Sequence, residues 1–253
     1  MLRLAIALLL AAQTATTQTS FEVASVKQNT DVTAQTSTRV DPGGRLRIAA
    51  APLRYLIAGA YGDERGALRP EQIIGAPDWL RTERYDITAQ TPTEAVNETT
   101  TYIAMRPFLR ALLEERFKLR THRDTREISV YALVRSRPDS LGPRLALAPV
   151  DCSKDAVKCG FQGGPSGRIK ADALSADLLM QLLASVSGRI VVNRTGLAGP
   201  FNIDLEYSPD QTASDDKPSI FTAVQEQLGL KLESARAPVD VRVIDSVERP
   251  TPD

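Results

Sequence analysis

Two stretches of the sequence align without a gap and share one pattern of apolar residues. They are LLEERFKLRTHRDTREISVYALV (residues 112–134) and AVQEQLGLKLESARAPVDVRVID (residues 223–245), which begin 111 positions apart. In each, helical spacing of apolar residues gives way to alternating spacing, which predicts a helix followed by a β-hairpin. The aligned apolar pairs include Leu119 with Leu230 and Val130 with Val241. A chain that carries such a unit twice is constrained to a fold with two similar halves.

The segments before these stretches repeat one order of elements. In the first half FEVASVK and GRLRIA predict strands, PLRYLIAGAYG predicts a helix, and QIIGAPDW and RYDITAQ predict two more strands. In the second half GRIKA, RIVVN and FNIDLEY predict strands, and LSADLLMQLLASVSG predicts a helix capped by Ser175 with Gly188 just past its end. An aromatic–polar–isoleucine triplet starts the returning strand at 85–87 and again at 201–203.

We interpret the chain as an internal duplication with an α+β fold. Each subdomain is predicted to run strand–helix–strand–strand and then helix–strand–strand, packed on mixed or antiparallel sheets. The alternative is a chance similarity, because short amphipathic segments resemble one another and the ungapped part has few identities. The predicted boundaries are a first subdomain at 21–136, a loop at 137–167 and a second subdomain at 168–253.

The two copies differ at two points. Gly229 is a natural helix terminator, whereas the aligned position is Lys118. Pro107 lies inside the first copy's helical pattern, while Pro218 precedes the second. We therefore expect the first helix to start late or to kink.

Residues 1–20, MLRLAIALLLAAQTATTQTS, have the order of a secretory signal peptide. One arginine precedes an apolar run from Leu4 to Ala12, which is about half the ~20 residues of a membrane-spanning helix. An ordinary buried N-terminal helix is the alternative. We expect cleavage between about residues 12 and 20, with a mature chain that starts near Phe21, has no transmembrane segment and is periplasmic or secreted.

Cys152 and Cys159 are the only cysteines of the chain. In an oxidising compartment a nearby pair most simply forms a disulfide, here within the predicted 137–167 loop. A redox or metal role is the alternative. A zinc site needs about four ligands, and the only histidine, His122, is distant in sequence.

Composition and charge indicate a folded protein that does not bind nucleic acid. Hydrophobic residues make up 42% of the chain, and 31 basic residues balance 31 acidic ones. No basic arm is present, although a protein that binds nucleic acid regardless of sequence needs a concentrated positive face.

The sequence carries no motif that identifies an enzyme or a cofactor. The triplet HRD at 122–124 resembles a kinase catalytic loop, but Ser129 stands where the metal-binding Asn belongs. G-x-S-x-G, H-E-x-x-H and G-x-G-x-x-G are absent. The adjacent pair Glu114 and Glu115 points about 100° apart on a helix, which favours a solvated and a packed side chain over a catalytic pair. We predict no catalytic, cofactor or metal residues.

Two short stretches are candidates for recognition. Trp79 is the only tryptophan and lies in the Pro-bounded stretch GAPDWL, where a core position is the alternative. In NRTGLAG, Arg194 offers a planar donor fork and Gly196 permits tight backbone geometry, with a structural turn as the alternative.

These motifs together resemble a known family. FEVASVK, QIIGAPDW, RYDITA, NRTGLAGPFNIDLEYSPD and the two aligned stretches resemble the secreted soil-associated bacterial protein family, a domain of unknown function, from residue 21 to about residue 250. Asn193 departs from that family's pattern, in which an acidic residue is more usual. More loosely, each half is similar to the short N-terminal domain of secretins and TonB-dependent transducers.

The resemblance implies no reaction. We expect an exported, non-catalytic binding or interaction module of the bacterial envelope, whose partner is an envelope protein or a peptide. The alternatives are a periplasmic hydrolase that uses carboxylates and a structural cell-surface component. One hypothesis is that the C-terminal strand PVDVRVIDSV captures a partner at an open sheet edge, and the alternative is that this strand is central and fully paired.

Overall fold

The computed structural model describes residues 19–63, 66–92, 101–148, 161–164, 167–197, 199–209 and 217–251. The fold of these residues is α+β, as the sequence predicts. The first half contains β1 Val23–Asn29, β2 Ser37–Asp41, β3 Arg45–Pro52, α1 Leu53–Ala60, a 3₁₀ turn Pro70–Gln72, β4 Ile73–Ile74, α2 Trp79–Thr82, β5 Arg84–Gln90, α3 Tyr102–Arg116 and β6 Arg120–Arg135. The second half contains β7 Leu145–Leu147, β8 Phe161–Gly164, β9 Arg168–Leu174, α4 Ala176–Ser187, β10 Val191–Asn193, β11 Phe201–Glu206, α5 Ile220–Leu228 and β12 Leu230–Ser246.

Each half has its own antiparallel sheet and its own hydrophobic core. The first sheet has the strand order β1-β5-β3-β2, and the second has the order β7-β11-β9-β8. The first core includes Leu46, Ile57, Tyr85, Leu109 and Phe117. The second core includes Ile169, Leu183, Phe201, Tyr207 and Val224. Each core also takes a residue from the long strand of the other half, since Leu133 of β6 belongs to the second core and Ile244 of β12 belongs to the first, so burial of both apolar sets also holds the halves together.

A third sheet, with the order β10-β6-β12-β4, joins the halves. Its centre is a long antiparallel ribbon in which β6 and β12 pair from Arg120 opposite Ser246 to Arg135 opposite Leu230. The short strand β4 of the first half lies parallel to β12, and β10 of the second half lies parallel to β6. Each half therefore contributes a strand that pairs with the long strand of the other half.

The predicted hairpin at the end of each half was wrong. Each aligned stretch folds as one helix and one uninterrupted long strand, and the antiparallel pairing joins the two stretches to each other. Neither TRE at 125–127 nor ARAP at 235–238 contains the Gly or Asn that a tight hairpin turn requires.

Equivalent positions of the two stretches have equivalent surroundings. Val191 of β10 lies opposite Tyr131 and Ile73 of β4 lies opposite Arg242, and these two partners are themselves 111 positions apart. The aligned pairs Leu119 with Leu230 and Val130 with Val241 are all buried. This arrangement agrees with the predicted repeat, and the duplication itself stays a prediction.

The same bulge, with an alanine in the left-handed conformation, precedes a helix in both halves. Ala50 and Ala173 have φ angles of 47° and 56°, each at an irregularity in the pairing of the strand that precedes a helix. The Ala50 backbone N–H donates to Asp86 Oδ1 at 2.8 Å, and that of Ala173 donates to Asn202 Oδ1 at 3.0 Å. The polar residue of each aromatic–polar–isoleucine triplet thus satisfies the N–H of the bulged strand.

The caps predicted for α4 are present, whereas α3 does not start where the sequence predicts. Ser175 accepts from the Leu178 N–H, and Gly188 ends α4 with a φ of 77°. Lys118 and Gly229 both have positive φ, 50° and 66°, so the aligned positions share one backbone conformation although their residues differ. The late start predicted for α3 was wrong, because this helix begins at Tyr102 and continues through Pro107.

The segments predicted as loops contain short strands, and some predictions concern residues that the structure does not describe. The segment between the predicted strands FEVASVK and GRLRIA contains β2, and the predicted 137–167 loop contains β7 and β8. Cys152 and Cys159 lie outside the described residues, as do residues 1–18. No helix among the residues described above is both long and apolar enough to cross a membrane.

Candidate functional site

An open cleft of about 670 Å³ lies between the two halves. One wall is the connection between α1 and the 3₁₀ turn, and the opposite wall is α4 with the start of β10. The middle of β12 completes the lining. Because these walls come from both halves, the cleft exists only when the whole chain is folded. The side chains and backbone that line it come from Asp63, Gly66–Arg69, Gln72, Asp177, Met180, Gln181, Ala184, Ile190–Asn193 and Pro238–Asp240.

Hydrogen bonds between the halves fix the spacing of the cleft walls. Arg69 Nη2 donates to the carbonyl oxygen of Ala184 on α4 at 2.8 Å, and Arg69 Nε lies 3.3 Å from Glu71 Oε1. Gln72 Nε2 donates to the carbonyl oxygen of Asp240 on β12 at 3.1 Å. Arg69 therefore bridges the two walls, and removal of its guanidinium would leave them joined at fewer points.

The lining combines apolar surface with acidic groups. Met180 and Val191 supply buried apolar contacts from the second half. Asp63, Asp177 and Asp240 supply three acidic residues from three separate segments of the chain, against the single arginine Arg69. The cleft thus suits a ligand with an apolar body and with hydrogen-bond donors or positive charge.

The described part of the chain has no group of three or more His, Cys, Asp or Glu side chains that could hold a metal ion. The single histidine lies on the ribbon, where His122 Nδ1 is 2.8 Å from Asp245 Oδ1 and both side chains are about half exposed. Glu114, of the adjacent glutamate pair considered in the sequence, accepts a hydrogen bond from the Tyr61 hydroxyl at 3.3 Å and does not line the cleft.

Trp79 lies at the start of α2 and packs against the first core. The guanidinium of Arg249, from the C-terminal tail, lies 4.8 Å from the centre of its ring. Arg249 also donates to both carboxylate oxygens of Glu83, and these hydrogen bonds hold the pKa of Glu83 below its usual value. Trp79 therefore anchors the chain's own tail.

Arg194 and Gly196 belong to a hydrogen-bonded turn. The Thr195 N–H and hydroxyl both donate to Asn193 Oδ1, at 3.0 and 2.7 Å, and Arg135 Nε donates to the Thr195 carbonyl at 2.9 Å. Gly196 has a φ of 68°, which explains the glycine. A carboxylate at position 193 would accept the same two hydrogen bonds, so an acidic residue there serves the turn.

The structure does not bring the predicted recognition residues together. Trp79 lies on the first core, Arg194 and Gly196 lie in the turn after β10, and none of the three lines the cleft. The residues that do line the cleft carry no signal in the sequence that marks them as a site. The connection after α1 has no distinctive pattern, and its proximity to α4 depends on strand pairing between the halves.

The fold and this site define an α+β protein of two joined halves with a ligand-sized cleft between them. The chain belongs to the family described as Protein of unknown function (DUF3738), whose family model matches residues 54–247. The match begins at α1 and spans every segment that lines the cleft. No curated protein and no solved structure shows a significant match to the chain.

Proposed function

We propose that the mature chain is an exported, non-catalytic binding module of the bacterial envelope, with its ligand in the cleft between the halves. The observation that carries this proposal is the cleft itself. Its volume of about 670 Å³ lies within the roughly 300–1,000 Å³ typical of small-molecule sites, and such sites occur preferentially where two folded units meet. A short peptide segment or a small molecule fits this space.

Export is supported by features of the sequence. Residues 1–20 have the order of a signal peptide, and two closely spaced cysteines suit an oxidising compartment. The resemblance to a secreted soil-associated family, and the looser similarity to the short domains of secretins and TonB-dependent transducers, support a place in the envelope.

One observation favours a second candidate function, a hydrolase that uses carboxylates. Asp63, Asp177 and Asp240 line a single cleft, and paired carboxylates can act as general acid and base. Against this, the sequence has no nucleophile or metal-ligand motif. The two functions differ in a measurable way, because a binding module releases its ligand unchanged and a hydrolase releases products.

The test uses the mature protein and a variant whose cleft is filled. Gln181 lies on α4, lines the cleft and is outside the hydrophobic core, so Gln181→Trp occupies the ligand's space without replacing a core side chain. Ser185, one turn further along α4, is exposed and does not line the cleft, so Ser185→Trp is the matched control.

Each protein is incubated with envelope extract and washed, and the bound small molecules and peptides are identified by mass spectrometry. We expect the same intact compound with the wild type and Ser185→Trp, and at least tenfold less with Gln181→Trp. Equal recovery with all three proteins would place the ligand elsewhere. Conversion of the compound by the wild type, abolished by Asp177→Asn or Asp240→Asn, would establish the hydrolase instead.

A further inference from the structure

A cluster of arginines surrounds Tyr61, the residue that follows α1. The Arg242 guanidinium lies 4.5 Å from the centre of the Tyr61 ring, and that of Arg110 lies 5.4 Å from it. Arg123 of β6 is directly opposite Arg242 in the ribbon. We call Arg110, Arg123 and Arg242 the arginine cluster. None of the three lines the cleft between the halves.

The members of the arginine cluster differ in their partners. Arg110 Nε donates to the Ala60 carbonyl oxygen at 2.6 Å, so this side chain caps the end of α1. Within the described residues, the side chains of Arg123 and Arg242 make no hydrogen bond and no ion pair. Stacking on Tyr61 occupies one face of the Arg242 guanidinium and leaves its N–H edge open to a ligand.

The two unpaired arginines oppose each other electrostatically. Like charges directly opposite in an antiparallel pair are destabilising. Burial of Arg242 lowers its pKa, and the charges of Arg123 and Arg110 lower that pKa further. Elsewhere on β6 the chain supplies a counter-charge, since Arg126 Nε lies 2.6 Å from Asp124 Oδ2. The arginine cluster is therefore a place where an anion would relieve repulsion.

We propose that the arginine cluster is a phosphate-binding site, with Arg123 and Arg242 as its two principal donors. A phosphate group carries about −1.5 to −2 charges at pH 7, which matches two unneutralised guanidinium groups. The planar fork of arginine donates two parallel hydrogen bonds to phosphate oxygens. Thr121 lies two residues before Arg123 on the same face of β6, and its side chain hydrogen-bonds to the Tyr61 hydroxyl, which fixes Tyr61 beside the two arginines.

Two carboxylates near the arginine cluster weaken this site and give the proposal a direction to test. Glu114 accepts from the Tyr61 hydroxyl at 3.3 Å, beside the space for the anion. Asp240 lies two residues before Arg242 on the same face of β12 and accepts from the Thr125 hydroxyl at 3.1 Å. Because Glu114 repels an anion, Glu114→Gln strengthens phosphate binding.

The experiment titrates the mature protein at pH 7 with inorganic phosphate, at an ionic strength held constant with chloride, and follows binding by calorimetry. Saturable binding is the expected result. Arg123→Gln and Arg242→Gln each weaken it at least about tenfold, which is the loss expected for a charge-assisted hydrogen bond. Arg126→Gln, on the opposite face of β6 and paired with Asp124, leaves it unchanged.

Two further measurements separate binding from folding and identify the source of the phosphate. Arg242→Gln also loses the stack on Tyr61, whereas Arg123→Gln and Glu114→Gln do not, so their opposite effects on affinity separate binding from folding. Glycerol 2-phosphate distinguishes the source of the phosphate. If it binds as tightly as inorganic phosphate, the site is assigned to the phosphate group of a larger ligand. If it binds much more weakly, the site is assigned to the free ion. The proposal is overturned if no saturable binding occurs, or if Arg123→Gln binds phosphate like the wild type.

Discussion

At two helix ends the backbone conformation, rather than side-chain contacts, determines which residue is most stable. The end of α3 and the end of α5 both need a left-handed residue, and the chain places Lys118 at one and Gly229 at the other. A left-handed conformation costs an L-residue with a side chain about 1–2 kcal/mol. At Gly229 a side chain would in addition collide with the backbone of Gly142. The two sites therefore respond to substitution in opposite directions.

We predict that Lys118→Gly raises the free energy of unfolding by about 0.5–1 kcal/mol, since relief of the left-handed strain exceeds the entropic cost of glycine. Gly229→Ala should lower it by about 3 kcal/mol, because strain and collision with Gly142 add. Glu115→Gly, on the exposed face of α3, is the control and should lose about 1 kcal/mol. Denaturant unfolding measures all three. A large loss in Lys118→Gly would refute this explanation.

The bulge before each helix gives a second prediction at this scale. Ala50 is fully buried, and its N–H has Asp86 as acceptor, so Asp86→Ala should cost about 1–3 kcal/mol by leaving a buried donor unsatisfied. Asn202→Ala should have a similar cost through Ala173. Asp86→Asn keeps an acceptor oxygen and reproduces the arrangement of the second half, so it should cost less than half as much. If Asp86→Ala and Asp86→Asn lose the same free energy of unfolding, the Asp86 carboxylate does not act through the Ala50 N–H.

At the scale of elements, the C-terminal tail fastens to the first half. After β12 the Glu248 N–H donates to the carbonyl oxygen of Phe117 at 2.7 Å, and Arg249 reaches both Trp79 and Glu83. The tryptophan predicted as a recognition residue thus contacts the chain's own tail, and its role in recognition stays a prediction. The sequence showed that Trp79 was unusual, but it could not show the partner, which lies 170 positions further along the chain.

The ion pair of Arg249 with Glu83 predicts a pH-dependent stability. The pKa of Glu83 is lower in the folded protein than its ordinary value of 4.5, mainly because of the hydrogen bond from Arg249. The stabilisation is therefore complete above that ordinary value and is lost as the pH falls through the lower, folded-state pKa. Arg249→Gln should melt below the wild type at pH 7, and the difference in Tm should shrink at pH 3. A difference that is the same at both pH values would assign the effect to the stack on Trp79.

At the scale of the whole molecule, the sequence predicted the elements better than their partners. The apolar periodicity of α1, α4 and α5 predicted these helices, and the caps at Ser175 and Gly188 are as expected. Local periodicity carries no information on which strand pairs with which. The pairing of β4 with β12 and of β10 with β6 joins segments far apart in the chain, so neither the ribbon nor the cleft could be predicted.

Export makes a prediction about the mature chain as a whole. The protein recovered from the cell envelope should have lost its first 12 to 20 residues and should carry a Cys152–Cys159 disulfide. Its intact mass before and after reduction and alkylation measures both. On the chain-entropy account, loss of the disulfide in Cys152→Ser/Cys159→Ser lowers the free energy of unfolding by roughly 2–3 kcal/mol. Two cysteines that alkylate without reduction would contradict the disulfide.

Hydrogen exchange tests most directly whether the ligand lies between the halves. The mature protein is measured alone and after incubation with envelope extract and removal of unbound material, with Gln181→Trp treated identically. We predict slower exchange at 66–72, 177–184, 190–193 and 238–240, unchanged exchange in β1 and β2, and no slowing in Gln181→Trp. Slower exchange confined to other segments, or the same slowing in Gln181→Trp, would contradict a ligand in the cleft.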